Sequence, residues 1–211
     1  FLKKNTENPF ALEEAPSSPL LTETTYQPFG DTSKNVLLIV ADSIRSKDIA
    51  ADPSLAPNLM RLAAKGTLSL EHYSVSNCTH FSFYSMFTGA LPTDFGSARR
   101  GGGVLGMLPA FAANGYRLST AESNPLDWYD TGRIIFPAST LRRHSPQAGY
   151  QARDLEVTET TIELLGKYRR AGTPFFHLAY YFGPHYPYDS AFSAEEESNF
   201  EKYKRTIRAF D

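Results

Sequence analysis

The sequence predicts an α/β domain with a mainly parallel, doubly wound sheet flanked by helices, and three observations support this fold class. Two continuous apolar runs, NVLLIVAD at 35–42 and PFFHLAYYF at 174–182, have the length and polar boundaries of strands buried on both faces. A third strand candidate, YRLSTAES, covers 116–123. Segments with helical spacing lie between these runs, and strands that alternate with helices are typical of parallel sheets.

The first half of the chain supplies short elements around the first strand. A helix is predicted from Ala56 to Lys65, with Gly66 as its stop signal, and a short strand at 69–75. Further helices are predicted at 81–88 and at 104–113, the second shortened or kinked by a proline.

The second half supplies the longest predicted helix. Residues 124–150 mix Pro, Gly, Trp and Arg, so we expect a long loop there. The segment 154–172 reads as an amphipathic helix that buries one stripe and begins near Asp154, a candidate N-cap; a charged helix follows from about 194 to Asp211. The predicted stripe consists of Leu155, Thr158, Ile162 and Leu165.

Composition limits the classes of function. The 211 residues carry a formal net charge of −2, which gives no general attraction to nucleic acid, so we expect no nucleic-acid partner. The single cysteine excludes an internal disulfide and a Cys-rich zinc site. No run of about 20 apolar residues is present, so nothing in the sequence predicts a membrane span.

Residues 1–34 differ from the rest of the sequence. They are rich in Pro, Ser, Thr and charged residues without a sustained period, which predicts an irregular lead-in or juxtamembrane linker, with the α/β domain at 35–211. Because the chain begins at Phe1 rather than Met, we expect it to be part of a longer protein.

Three residues that carry chemistry follow predicted strands or precede a helix: Asp42, Thr79 and His185. Ligands of open α/β sheets bind at the carboxyl ends of the strands. Each residue also has a structural alternative: Asp42 as a turn or capping acid, Thr79 as an N-cap, and His185 as a surface loop residue.

Together the three residues would have complementary roles. An unassisted threonine hydroxyl is a poor nucleophile, and coordination to a metal ion can activate it. Asp42 is an oxygen ligand suited to such a metal, and a helix N-terminus at Thr79 favours a phosphate or sulfate group. His185 would then contact the transferred group or its leaving oxygen.

Three stretches resemble the sulfatase-like branch of the alkaline phosphatase superfamily. NVLLIVADSIR at 35–45 is similar to the first strand and metal-binding acid of that family, and NCTHFSFYSMFTG at 77–89 to its nucleophile helix. HLAYYFGPHYPYD at 177–189 resembles its substrate-contacting His-x-Pro-Tyr loop, and 156–176 the helix before it. The resemblance implies that Asp42 and Thr79 bind a metal, and that His185 binds substrate.

The resemblance also bears on whether Cys78 or Thr79 is the nucleophile. True sulfatases of this family use a cysteine inside Cys-x-Pro-x-Arg, with a Thr-Gly ten residues further on. Counting back ten residues from Gly89 reaches Thr79, and in that register Phe81 and Phe83 stand where proline and arginine are required. The maturation signal is thus missing, and Thr79 is the expected nucleophile.

In having a threonine at the nucleophile position, the sequence resembles lipoteichoic acid synthases, lipid A phosphoethanolamine transferases and inner-membrane sulfatase-like proteins. The resemblance implies a metal-dependent phosphotransferase or phosphoric or sulfuric ester hydrolase, with zinc or manganese in the full-length protein. It further implies a phospholipid or anionic envelope substrate. The expected location is the periplasmic or extracellular face of a bacterial inner membrane, behind an N-terminal transmembrane region.

The sequence departs from the family pattern in two places. The later Asp-His metal ligands do not occur in it, and Asp42 stands between Ala41 and Ser43, where many members have paired acids. We therefore expect weak or absent metal binding by this chain alone, and a catalytically inactive regulatory or lipid-binding module is the alternative function. Further site candidates are Cys78, His80, Arg99 and Arg100, the arginines either as an anion-binding loop with 101–103 or as a solvated loop.

Overall fold

Four parallel strands form one sheet in the computed structural model, which describes residues 26–30, 34–69, 71–101, 106–145, 150–188 and 197–211. The strands lie in the order β1-β4-β2-β3, and all neighbouring pairs are parallel. The carboxyl ends of all four therefore meet at one edge of the sheet. The strands are β1 (Val36–Ala41), β2 (Arg117–Glu122), β3 (Leu141–His144) and β4 (Phe175–Tyr181).

Helices cover both faces of this sheet, so the predicted α/β fold class is confirmed. In the described residues they are α1 (Ser46–Ala51), α2 (Pro57–Ala63), α3 (Thr79–Thr88), α4 (Phe95–Gly101), α5 (Met107–Ala113), α6 (Thr131–Ile135), α7 (Tyr150–Ala171) and α8 (Asn199–Phe210). No helix in this part of the chain combines the length and the apolar composition needed to cross a bilayer.

The larger core lies between α3 and the sheet. Phe87 of α3 contacts Phe176 of β4 edge-on, with ring centroids 6.3 Å apart, and buried residues of α5 and α6 complete the layer. Gly89, with φ at +73°, ends α3 in the left-handed conformation that glycine adopts readily. This packing fixes the start of α3 beside the carboxyl ends of β1 and β4.

The opposite face is covered by α7, but not through the predicted stripe. Leu155 and Ile162 are 61% and 68% exposed, so that part of the prediction is wrong. The side chains that face the sheet recur at spacings of four, three and four residues, the helical period: Val157, Thr161, Leu164 and Tyr168. The helix also begins at Tyr150, so Asp154 lies inside it and is not its N-cap.

Strand β1 is not buried on both faces, which corrects a second expectation. Within the described residues it pairs with β4 alone, and Leu37 and Ile39 are 42% and 50% exposed. Their neighbours Leu38 and Val40 pack against the α3 core. A continuous apolar run in the sequence cannot distinguish an edge strand from a central one.

One predicted strand and one predicted loop also differ from the structure. Residues 69 and 71–75 form no strand, and the predicted loop at 124–150 contains α6 and β3. Strand β3, LRRH, lacks an apolar pattern; Arg142 is tolerated there because it pairs through two nitrogens with Glu122 of β2, at 3.0 and 2.8 Å.

Other boundaries agree within a few residues. The helix predicted at 56–65 is α2, and those at 104–113 and 194–211 correspond to α5 and α8, with residues 104–105 and 194–196 outside the described part. Of the predicted lead-in at 1–34, residues 26–30 and 34 are described. Phe29 packs edge-on against Phe111 and Tyr116, so this end of the lead-in contacts the domain.

Candidate functional site

Asp42 lies one residue beyond β1, at the carboxyl edge of the sheet. Its backbone N–H donates to the Tyr181 carbonyl at 2.9 Å, which extends the pairing with β4 by one residue. Residues 36, 38 and 40 face the α3 core, and alternation along the strand puts Asp42 on the same face. The next residue, Ser43, has φ at +64° and turns the chain away from the sheet.

Thr79 is the first residue of α3, and Cys78 occupies the N-cap position without a side-chain capping bond. The N-cap alternative for Thr79 therefore does not hold. The hydroxyl Oγ1 of Thr79 donates instead to Asp42 Oδ2 at 3.1 Å. The structure thus brings the two predicted metal-binding residues into direct contact, while their roles stay predictions.

Tyr180 of β4 joins this pair, and the sequence reasoning missed it. Its side chain is fully buried, and its hydroxyl donates to Asp42 Oδ2 at 2.7 Å. Burial, and then the charge of Asp42, raise the pKa of Tyr180, so the phenol remains a donor at neutral pH. The one available signal was a tyrosine in a buried strand, because such a hydroxyl needs a partner.

His185 lies near this cluster without touching it through any described hydrogen bond. Its ring stacks on Phe182 at 4.3 Å, and Phe182 in turn contacts the Tyr180 ring at 6.3 Å. Nδ1 donates to the Tyr186 carbonyl at 2.6 Å. The rings of Phe182 and Tyr180 therefore lie between His185, the predicted substrate-binding residue, and Asp42.

Asp154 anchors the loop that carries His185. Its carboxylate reaches from α7 and accepts the backbone N–H groups of Phe182 and Gly183, at 3.2 and 3.0 Å. A Cβ at Gly183 would overlap this carboxylate, so glycine is required for the close approach. Burial raises the pKa of Asp154 against these hydrogen bonds.

The neighbours of Thr79 in sequence have other surroundings. Cys78 is exposed, and its thiol donates to the Asn77 side chain at 3.6 Å. His80 lies among the rings of Phe81, Phe95 and Tyr129, with centroids 4.1, 5.2 and 4.5 Å away. Burial lowers the pKa of His80, which favours the neutral imidazole at neutral pH.

The remaining candidates lie on α4 and the loop opposite it. Arg99 and Arg100 belong to a helix; Arg99 pairs with Asp130 at 2.7 Å, and Arg100 donates to Ser97 at 3.3 Å. Asp130 and Tyr129 both have positive φ, at +64° and +52°. Trp128 and Tyr129 are exposed.

The residues present do not by themselves fit a divalent metal. Asp42 offers a carboxylate and Thr79 a hydroxyl, whereas stable sites in proteins draw on at least three protein ligands. In the described part of the chain, no group of three or more His, Cys, Asp or Glu side chains is close enough to share an ion. Any metal would need ligands from elsewhere.

The geometry suits chemistry at an anionic ester. The Thr79 hydroxyl lies at the positive end of the ten-residue helix α3, where backbone N–H groups favour a phosphate or sulfate oxygen. The Asp42 carboxylate orients that hydroxyl and can take its proton. The arrangement therefore offers an oriented nucleophile beside an anion-binding helix end.

Comparison with known proteins agrees with this description. A family model described as Sulfatase matches residues 34–211. No curated protein matches the chain.

Solved structures share the fold. The chain is similar to a protein of the alkaline phosphatase superfamily from Vibrio parahaemolyticus, with a TM-score of 0.67 at 14% identity over 84% of this chain and 47% of that one. The lipoteichoic acid synthase LtaP from Listeria monocytogenes gives 0.63 at 13% identity over 84% and 49%. Ps i-CgsB, solved in complex with k-i-k-neocarrahexaose, gives 0.59 at 17% identity over 83% and 52%. The chain thus spans about half the length of these structures.

Proposed function

Since this chain belongs to the sulfatase family, within the alkaline phosphatase superfamily, we propose that it carries the nucleophile of a phosphotransferase or phosphoric ester hydrolase. The family comprises hydrolases and transferases of phosphoric and sulfuric esters. The observation that supports our assignment is the hydrogen bond from Thr79 Oγ1 to Asp42 Oδ2 at the start of α3.

In the proposed reaction, Thr79 Oγ1 attacks the phosphorus of a bound ester. A bond forms between this oxygen and phosphorus while the bond to the leaving oxygen breaks; the threonine proton passes to Asp42 Oδ2, and the departing alkoxide takes a proton from water. Attack by water or a second alcohol on the phosphothreonine then releases the product, and the proton held by Asp42 returns to Thr79 Oγ1. Backbone N–H groups of the first turn of α3 stabilise the charge on the transferred group.

The metal, substrate and location belong to the same proposal. We propose that zinc or manganese assists the full-length protein, with ligands that complement Asp42 and Thr79. The substrate would be a phospholipid or an anionic envelope polymer, reached from the periplasmic or extracellular face of a bacterial membrane. The support for this choice is the lipoteichoic acid synthase among the structural relatives. His185 would contact the substrate from its loop.

Substitution of Thr79 tests the nucleophile. In the full-length protein, Thr79→Ala should lower the rate of phosphodiester hydrolysis by about a thousandfold or more, because the attacking oxygen is gone. Thr79→Ser keeps a hydroxyl and should retain turnover within about tenfold. Steady-state kinetics on a chromogenic phosphodiester measures both, and Thr79→Ala turnover equal to wild type would contradict the assignment.

Cys78→Ala is the matched control at the adjacent position. It should leave phosphodiester turnover unchanged, and mass spectrometry of the natively expressed protein should find an unmodified thiol. Conversion of Cys78 to formylglycine would instead indicate a true sulfatase.

An inactive binding module remains the second candidate function. The observation that favours it is the small number of ligands that the described residues bring together at this site, namely Asp42 and Thr79. If the full-length protein binds anionic lipid vesicles yet neither the wild type nor Thr79→Ser turns over any phosphoric ester, this alternative holds.

A further inference from the structure

We propose that Tyr180 is a positioning residue, which holds the carboxylate of Asp42 against the hydroxyl of Thr79. The proposal rests on the proposed role of Thr79 as nucleophile and assigns Tyr180 a role through Asp42 rather than on the substrate. It starts from one hydrogen bond, which the hydroxyl of the buried Tyr180 side chain donates to Asp42 Oδ2 at 2.7 Å.

The sheet places the two side chains together. Tyr180 pairs in register with Val40 of β1, and Asp42 follows two residues later on the same face. Both therefore point toward α3 at the carboxyl edge, where Thr79 begins the helix. The contact is a consequence of strand register, so it does not depend on a mobile loop.

The ring of Tyr180 is fixed by packing. It meets Phe83 edge-on at 5.0 Å and Phe182 at 6.3 Å. Phe83 lies on α3, one turn beyond Thr79, so a single side chain packs on the helix that presents the nucleophile and binds the acid beside it. A buried ring with little rotational freedom gives its hydroxyl a defined position.

The other bonds to Asp42 are weaker restraints. Oδ2 also accepts from Thr79 at 3.1 Å, and Oδ1 accepts from the exposed hydroxyl of Ser43 at 3.0 Å. The Ser43 bond is exposed to water, whereas the Tyr180 bond is shielded in part, because the Tyr180 side chain is fully buried. Without Tyr180 the carboxylate is free to turn away from Thr79.

Strand β4 offers a matched control in the next residue. Tyr181 points to the opposite face, where its hydroxyl shares a hydrogen bond of 3.0 Å with Thr158 of α7. Tyr180→Phe and Tyr181→Phe each remove one hydroxyl with a side-chain partner and keep a buried ring. Only the first touches Asp42.

Kinetics of the full-length protein provides the first test. Tyr180→Phe should lower kcat for a chromogenic phosphodiester by about 10- to 100-fold, with KM nearly unchanged; this is the range found when a residue that orients a metal ligand, the role proposed for Asp42, is removed. Tyr181→Phe should stay close to wild type, and thermal unfolding should confirm that both variants fold. A kcat loss for Tyr180→Phe no larger than that for Tyr181→Phe overturns the proposal.

Crystal structures of the two variants separate this proposal from the proposed function. In Tyr180→Phe the Asp42 carboxylate should be rotated and no longer accept the Thr79 hydroxyl; in Tyr181→Phe it should be unmoved. An unmoved carboxylate in Tyr180→Phe overturns the positioning role, whatever the activity. A rotated carboxylate in a protein whose Thr79→Ala variant is as active as wild type supports the positioning role and refutes the nucleophile.

Discussion

His177 and Tyr180 lie three residues apart in β4 and face opposite sides of the sheet. Both are buried polar side chains, and each needs hydrogen-bond partners, which differ between the two. Tyr180 donates to a carboxylate at the edge of the sheet. His177, fully buried under α7, is bonded on both nitrogens: Nδ1 to Ser119 at 2.8 Å and Nε2 to Thr161 at 3.0 Å. Its neighbours are hydroxyls without charge, so this tie between β2, β4 and α7 needs a neutral imidazole.

This tie predicts acid sensitivity. Burial lowers the pKa of His177 to about 4, whereas the unfolded chain takes up the proton near the ordinary value of about 6.5. Between these values the unfolded state binds more protons than the native state, so stability is complete above about pH 6.5 and falls as the pH drops toward 4. The free energy of unfolding should decrease by about 1 kcal/mol per pH unit in this window.

Urea unfolding of wild type and His177→Gln at a series of pH values measures the effect. The variant lacks the titrating ring and should show a flatter dependence, while His144→Gln, at an exposed histidine, should keep the wild-type slope. Equal slopes for wild type and His177→Gln would contradict the assignment.

Strand β3 shows how an element forms where the sequence pattern is unfavourable. Its two central residues are arginines that point to opposite faces. Glu122 is only 1% exposed, and Arg142 binds both of its carboxylate oxygens as well as Asp127 at 2.7 Å. This network connects β2 and β3 to the segment that leads into Trp128, so it also supports the loop beside His80.

The two arginines of β3 make a direct comparison. Arg142→Met should destabilise the protein by about 3 kcal/mol or more, because it leaves the Glu122 carboxylate buried without its partner. Arg143→Met should cost less than about 1 kcal/mol, since its pair with Glu163 is 44% and 59% exposed. Denaturant melts of both variants test this, and equal losses would be inconsistent with a buried ion pair at Arg142.

At the scale of the whole molecule, the carboxyl edge of the sheet brings the candidate nucleophile Thr79 next to Asp42. In the described residues, no group of three or more His, Cys, Asp or Glu side chains could complete a metal site there. We expect the 211-residue chain to bind zinc and manganese weakly or not at all. Isothermal titration calorimetry at neutral pH measures this directly. Tight binding with one ion per chain, lost in Asp42→Ala, would show that further ligands exist outside the described residues.

Much of the candidate site was predictable, because its residues follow element boundaries. A run of apolar residues that ends in an acid predicts Asp42 at the carboxyl end of a strand, and the resemblance to the family's nucleophile segment implies Thr79 beside a helix. Tyr180 and Asp154 were not predictable in the same way. Their partners lie 138 and 28–29 residues away, at Asp42 and at Phe182 and Gly183, and no local period encodes such pairs.

The sequence by itself determined the fold class, the order of most elements and the family, because apolar period and motif spacing are local properties of the chain. Only the tertiary structure decided which strand lies at the edge, which stripe of α7 is buried, and which hydroxyls meet the Asp42 carboxylate. Those outcomes depend on strand order and register, which bring together residues far apart in the sequence.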